Sequence, residues 1–571
     1  MTSPYRHQRQ ALTIVTLAAL TLFVAAACAK PGSTTRGTKH DDLVALFKDW
    51  RSFQQPKLVG GVPDYSVRAM EAQRTELPAW QARLKAIDTT GWSTPDQVDW
   101  HLVRAEMNGL DFDHRVMQPW ARNPAFYVTV FPAQSDQPAR EGPFALGAIE
   151  LWQYRWPLDA AQATDLTAKL RNVPPLLTQA KANLTGTAKD LWTYGALDLR
   201  AQSTDLKELR ERVGAAGGAG AGSSAGSSTG LGASADLTGA IDAARTATDS
   251  LVAWLDSQAA TKTTASGIGV ANYDWYLKNV QLLPWTWRDE VTLMQRELSR
   301  AHAFLRLEEG RNAKLPPAIP VASAEEHARK FNAAVTEYMA FLKDHELLPV
   351  ADYLEPALRA HIGKFNPAVP RAFFTEVDYR DPMVMRTHGF HWFDLARMAA
   401  EPHPSAIRRG PLLYNMFITR TEGHATGWEE MMLQAGMFDA RPRSRELIYI
   451  LLAQRAARAL GDLKMHANEL TLDEAATFAA ANTPKGWLRL DGPLVRFEQH
   501  LYLQQPTYGP SYVNGKILIE GILAARRRQL GDAFTMRGFM DEFLQAGLVP
   551  ASLIHWQLAG LTPEIARMLA P

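Results

Sequence analysis

The chain has 571 residues and 46% hydrophobic content, enough to bury a large core. Its 61 basic and 60 acidic side chains leave a formal net charge of +1, and no long like-charge run occurs, which argues against a nucleic-acid partner. A single cysteine, Cys28, excludes an internal disulfide.

The N-terminus reads as a targeting segment. Arg6, His7 and Arg9 precede an apolar run from Ala11 to Ala27, and the small residues Ala25, Ala26 and Ala27 lead straight into Cys28. A lone cysteine in that setting resembles the lipobox of bacterial lipoproteins, without the usual Leu three residues before it. The expectation is a signal peptide over 1–28, lipidation of Cys28 and a tether over 29–40. Ordinary secretion with cleavage nearby, or an uncleaved anchor, are the alternatives. No later stretch is apolar and long enough to span a bilayer. The body is expected at the cell envelope, facing the periplasm or exterior, with the lipid as its membrane contact.

From residue 41 the pattern turns helical and predicts a mainly α chain, one large body over 41–571. Leu43, Leu46, Phe47, Trp50 and Phe53 follow a three-to-four spacing, as do Leu77, Trp80, Leu84 and Ile87, with Pro78 interrupting the start of that set. Val98, Leu102, Ala105 and Leu110 share a side, and the nearby His101 and His114 read as structural. The run over 122–131, rich in branched and aromatic residues from Tyr127 to Phe131, reads as β. Between 214 and 234 the composition narrows to Gly, Ala, Ser, Leu and Thr, which predicts a flexible insertion. Thr286 with Asp289, Ser323 with Glu326, and Thr471 or Asp473 mark helix starts further on.

The stretch from His388 to His466 is where chemistry concentrates. Asn415, Thr419, Glu422, Thr426 and Glu429 fall at steps of four, three, four and three, one face of an otherwise apolar helix. Arg455, Arg458, Asp462 and His466 do the same on the next helix. Charge on an apolar rod is costly unless paired or bound, so the two stripes point to a shared polar interior. A structural lattice of buried ion pairs would give the same pattern. His388, His391, Glu422 and the distant His466 are the inventory of a metal site or an acid–base site. Zinc hydrolases commonly take two histidines from one helix as H-E-x-x-H, with the Glu as base. Here the histidines are three apart, which also shares a face, and Gly389 stands where the Glu would be; Asp394 or Glu429 are the carboxylates left to serve. Further on, Pro506 to Tyr512 reads as a rigid turn carrying Tyr508 and Tyr512, either of which could face a developing oxyanion or merely fill a gap.

From His388 onward the chain resembles the bacterial family called domain of unknown function 885, whose members look like relatives of helical zinc metallopeptidases. The segment from Glu422 to Glu429 keeps both glutamates of an E-G-W-A-L-Y-x-E hallmark. Arg455, Arg458, Asp462 and His466 follow R-A-x-R with its downstream D and H. Pro506, Ser511, Tyr512 and Gly515 follow a P-G-Q-A-x-S-Y-x-x-G turn. Phe539, Asp541, Gly547 and Pro550 follow the last hallmark, with Met540 at the place of the family's His. The first hallmark, H-E-x-x-P-G-H, is replaced by a segment in which His388 and His391 match by location only. The resemblance implies a zinc ion held by His388, His391 and Glu422, with Glu429, His466 and Tyr512 as catalytic support. Arg455, Arg458 and Tyr508 would then face the substrate. The implied activity is that of a lipid-anchored, peptidase-like hydrolase acting on a peptide or small molecule. A catalytically silent relative that binds such a ligand in the same cleft is the alternative.

Overall fold

The computed structural model describes residues 39–219 and 228–570, and from Lys39 onward these fold as one unit. The basic and apolar start, Cys28 and the tether up to residue 38 lie outside the described residues. The architecture is mainly α, and no described helix is long and apolar enough to cross a membrane.

Helix α1 (His40–Gln54) begins at the end of the expected tether and buries Leu43, Leu46, Phe47 and Trp50. Helix α2 (Val67–Lys85) corrects the reading of Pro78: the helix runs through it. Pro78 is exposed while Leu77 and Leu84 are buried, so the carbonyl it leaves unbonded faces water and packing holds the rod together. Helix α3 (Thr94–Phe112) is capped by Ser93 and buries Val98, Leu102, Ala105 and Leu110, as the spacing predicts. A π-helical turn over Asp113–Met117 follows it.

The β expectation over 122–131 holds for two residues. Asn123 caps a 3-10 turn over Pro124–Tyr127, where Pro124 lacks the amide a strand ladder would need. Val130–Phe131 pairs in parallel with Ile149–Glu150, and Leu58–Val59 forms a small antiparallel ribbon with Val62–Pro63. The flexible insertion expected over 214–234 lies partly among the described residues. Helix α4 (Lys189–Ala219) extends into it and helix α5 (Ser228–Gln258) begins within it; residues 220–227 lie outside the described residues. Extending an existing helix by a residue is easier than nucleating one, so two long helices carry their ends further than a Gly/Ser count implies. Arg200–Asp256 and Arg210–Asp242 pair across them.

Helix α6 (Trp287–Arg311) has the Thr286–Asp289 capping box. Helix α7 (Ala324–Asp344) is capped by Ser323, but the Glu326 carboxylate reaches back to the Ala322 amide instead of closing a box. The functional half is built from α8 (Pro382–His388), α9 (Phe390–Ala400), α10 (Ile418–Gln434), α11 (Pro442–His466), α12 (Leu472–Asn482), α13 (Leu494–Gln504) and α14 (Tyr508–Leu530). Helix α11 is buried at every position from Glu446 to Leu463 and α10 from Ile418 to Glu429, so both are interior rods. Helices α10 and α14 cross where Gly423 meets Gly515. A Cβ on Gly515 would lie 1.9 Å from the Thr419 carbonyl oxygen and 2.6 Å from Gly423 Cα, so this crossing requires two glycines.

Candidate metal centre

Helix α8 ends at His388 and α9 starts at Phe390, so the two histidines flank a break and do not share one helix. Gly389 fits the break because a Cβ there would press to 2.6 Å from a Leu358 methyl. Asp381 caps α8 through the Met383 amide and is itself held by Arg441, just ahead of α11, and by Ser444 within it. The two imidazole rings meet edge to face, 5.0 Å apart. Glu422 comes from the centre of α10, and His388, His391 and Glu422 each offer one ligand atom, all within 4.8 Å of one another.

His391 Nε2 faces Glu422 Oε2 at 3.3 Å, yet the angle makes no hydrogen bond and neither buried atom has another hydrogen-bond partner. The other Glu422 oxygen, Oε1, accepts from the Tyr508 hydroxyl at 2.7 Å and from Gln137 Nε2 at 3.0 Å. Gln137 Nε2 also lies 3.3 Å from His391 Nδ1, and Gln137 Oε1 accepts from Thr421 Oγ1 at 2.7 Å. One oxygen is thus pinned while its twin is left open toward the histidines. Burial alone would discharge both groups, but the carboxylates of Asp136 and Glu422 hold His391 up at about 9. Against the same burial, His391 and His388 hold Glu422 down at about 2. A cleft of about 450 Å³ opens over His388 and His391, its rim carrying Asp136, Lys364, Asp378 and Trp392.

A family profile matches residues 56–391 and 391–558. The chain belongs to that family, described as bacterial protein of unknown function (DUF885). Two solved structures share the DUF885 chain's fold. One, described as a candidate lipoprotein of unknown function from Shewanella oneidensis, is 14% identical and aligns over 90% of this chain and 97% of its own, with a TM-score of 0.63. The other, a candidate lipoprotein from Colwellia psychrerythraea, is 13% identical over 93% and 99%, with a TM-score of 0.60. At those identities the likeness is one of fold. No curated protein sequence matches the chain.

Other residues expected at the site of this DUF885 chain are held in ion pairs and packing contacts. Glu429 accepts two bonds from Arg455, both 2.7 Å, and lies 2.9 Å from His388 Nδ1. Burial pushes against its charge, and Arg455 and His388 overcome it, keeping the carboxyl below the usual range. Asp394 is gripped likewise by Arg420. Glu429 and Asp394, the two carboxylates the sequence offered as a base, are therefore locked in ion pairs. Arg458 pairs with Glu498, and the Arg455 and Arg458 guanidinium groups lie 5.8 and 5.3 Å from the Tyr512 ring centre. Tyr508 and Tyr512 sit in the first turn and a half of α14, not on a turn that precedes it.

His466 is not brought to the histidine–glutamate cluster. It ends α11 buried against the Tyr273 ring, with Nε2 3.0 Å from the Tyr502 carbonyl, and burial holds it down at about 4. Asp462 accepts the Gly509 amide at 2.8 Å, so this hallmark carboxyl ties α11 to the start of α14 and thereby sets Tyr508 against Glu422. Asn415, the expected first rung of the glutamate stripe, lies ahead of α10 in a 3-10 turn with φ +48°. Left out of the sequence reading altogether were Asp136, Gln137 and Glu141. They arrive from an irregular loop more than 240 residues before His388, where no periodicity marks them. Glu141 is pushed up to about 7 by burial, with Asp136 adding to it, and accepts from Ser135 Oγ at 2.9 Å.

Proposed function

We propose that this DUF885 protein is a metal-dependent, peptidase-like hydrolase tethered to the cell envelope through Cys28. The observation that carries the reading is the convergence of His388, His391 and Glu422, one ligand atom of each within 4.8 Å of the others, with His391 Nε2 facing Glu422 Oε2 at 3.3 Å without a hydrogen bond. A bound cation would take up both buried atoms, replacing their charge pairing with coordination. A two-histidine, one-carboxylate set fits zinc, which would supply a Lewis acid and hydroxide at neutral pH. Tyr508 and Gln137 hold the Glu422 carboxylate in orientation, and Glu429 does the same for His388. Tyr512, held among the cationic Arg455 and Arg458, is the hydroxyl we assign to a developing oxyanion. Glu141 is the carboxyl best suited to exchange a proton near neutrality, since Asp394 and Glu429 are committed to arginines.

Metal content of the purified protein tests the reading, together with chelator-sensitive cleavage of a peptide library. Sub-stoichiometric metal that is unchanged in Glu422→Gln and His388→Ala would remove it. A second reading, a silent relative that binds a peptide or small ligand, is favoured by Gly389 at the place of the family's base. It is distinguished by stoichiometric metal without turnover. The envelope tether is supported by the sequence before Cys28 and by the description of both similar structures as candidate lipoproteins. Membrane fractionation of Cys28→Ala tests it, and a variant that still sediments with membranes speaks against lipidation.

A further inference from the structure

Behind the loop that delivers Gln137 and Glu141 lies a separate cavity of about 380 Å³. The same loop serves both sides: Gln137 bonds Glu422, while Arg140, Gly142 and Phe144 line the cavity. Its walls are aromatic, with Tyr65, Trp120, Phe126, Phe144, Tyr276 and Tyr414 among them. That volume suits a small organic ligand, and such sites combine apolar walls with a few fixed polar groups.

Gln505 is the fixed polar group. It is 6% exposed, and its Oε1 accepts both the Gly142 amide at 2.8 Å and Asn415 Nδ2 at 3.0 Å. Two donors on the oxygen settle the orientation of the amide, and its Nε2 is left buried without an acceptor. Arg140 Nε, on the same wall, is also without one. The wall itself carries Arg51, Arg140 and Asp113, and its charge is nearly balanced from outside the lining: Glu106 pairs with Arg51, Glu150 lies 3.6 Å from Arg140, and the Asp113 carboxyl bonds the Tyr414 hydroxyl. The backbone around the cavity is held in costly conformations as well. Tyr414 (φ +63°) and Asn415 (φ +48°) are left-handed, and Gln118 (φ +42°) follows the π-helical turn. Strain of this kind persists where the surroundings enforce it and clusters at ligand sites.

We propose that this cavity binds a small amphipathic molecule: an aromatic ring on a short chain that ends in a carbonyl oxygen. The ring packs among the aromatic walls and the oxygen accepts from Gln505 Nε2. A carboxamide and a carboxylate share that acceptor, and the near-balanced wall charge favours the amide. The inference does not rest on the metal reading.

The test titrates the mature protein, in chelator, with 3-phenylpropionamide, 3-phenylpropionate, hexanamide and 3-phenylpropylamine, followed by calorimetry. The amide binds, the carboxylate binds more weakly, and hexanamide and the amine, lacking ring and acceptor respectively, bind least. Gln505→Glu keeps the oxygen that holds Gly142 and Asn415 but replaces the donor, and weakens the amide by about ten-fold. Phe144→Ala, on a partly exposed wall residue, weakens every ring-bearing probe. His388→Ala, in the other cleft and without a bond to the shared loop, leaves all affinities unchanged. Absence of binding at millimolar probe, wild-type affinity in Gln505→Glu, or loss of binding in His388→Ala each overturns the proposal, the last by moving the probes to the metal cleft.

Discussion

Gly515 offers a sharp test of how the site is held. It lies on α14 seven residues after Tyr508, and its missing Cβ would sit 1.9 Å from the Thr419 oxygen and 2.6 Å from Gly423 Cα, all backbone. Neither atom can swing aside, so in Gly515→Ala α10 and α14 must part by about 1–2 Å to restore ordinary contact. Overpacking of this kind costs about 1–3 kcal/mol, and this case belongs at the upper end because two buried rods must separate. The helix-propensity gain of alanine over glycine returns about 1 kcal/mol. Gly521, six residues on in the same helix, is exposed and has nothing within 4 Å of its missing Cβ. Gly521→Ala is therefore expected to raise stability by about 0.5–1 kcal/mol, where Gly515→Ala lowers it by about 2 kcal/mol net. Urea unfolding followed by circular dichroism measures both. Parting the helices also stretches the 2.7 Å Tyr508–Glu422 bond, so Gly515→Ala should bind zinc more weakly while Gly521→Ala does not. Equal stability in the two variants would refute the crossing as described.

Four further outcomes are expected. Zinc should raise the melting temperature of the wild type but not of His391→Ala, since a ligand that binds only the folded state stabilises by mass action; equal shifts would place the ion elsewhere. Breaking the buried Glu429–Arg455 pair by Arg455→Met alone should cost about 3–5 kcal/mol, and adding Glu429→Leu should recover much of it, as a double-mutant cycle would read. Asp462→Ala should cost about 1–3 kcal/mol by orphaning the Gly509 amide, while Asp462→Asn, which keeps an acceptor, costs less. Glu290, buried with Tyr273 and Asn514 bonded to it, is pushed up to about 8 by burial, so the folded state holds its proton more tightly than the unfolded chain. Its contribution is intact below the ordinary 4.5 and is lost as pH rises through about 8, a span worth about 5 kcal/mol. Glu290→Gln should flatten the fall in melting temperature across that window, and an unchanged pH profile would contradict it.

Much of this protein is legible locally. Helix faces such as Leu43 to Trp50, the caps at Thr286 and Thr471, and the glutamate and arginine stripes follow from spacing alone, because a 3.6-residue period fixes which side chains share a side. Sequence reading failed where tertiary context outvotes composition: Pro78 stays inside its helix and Asn415 drops off its stripe. Spacing does not announce that Asp462 and Gly515 serve the α11–α14 and α10–α14 contacts, or that His466 Nε2 meets the Tyr502 carbonyl.

The sequence by itself determined a mainly helical body with charge buried along two interior rods, because periodicity and the cost of unpaired charge are local properties. Only the tertiary structure decided which carboxylates are spoken for by arginines and which histidines converge, and that a loop from before residue 150 holds Glu422 in place. Pairing across hundreds of residues is set by how rods cross and where glycines let them touch, and no spacing along one helix encodes that.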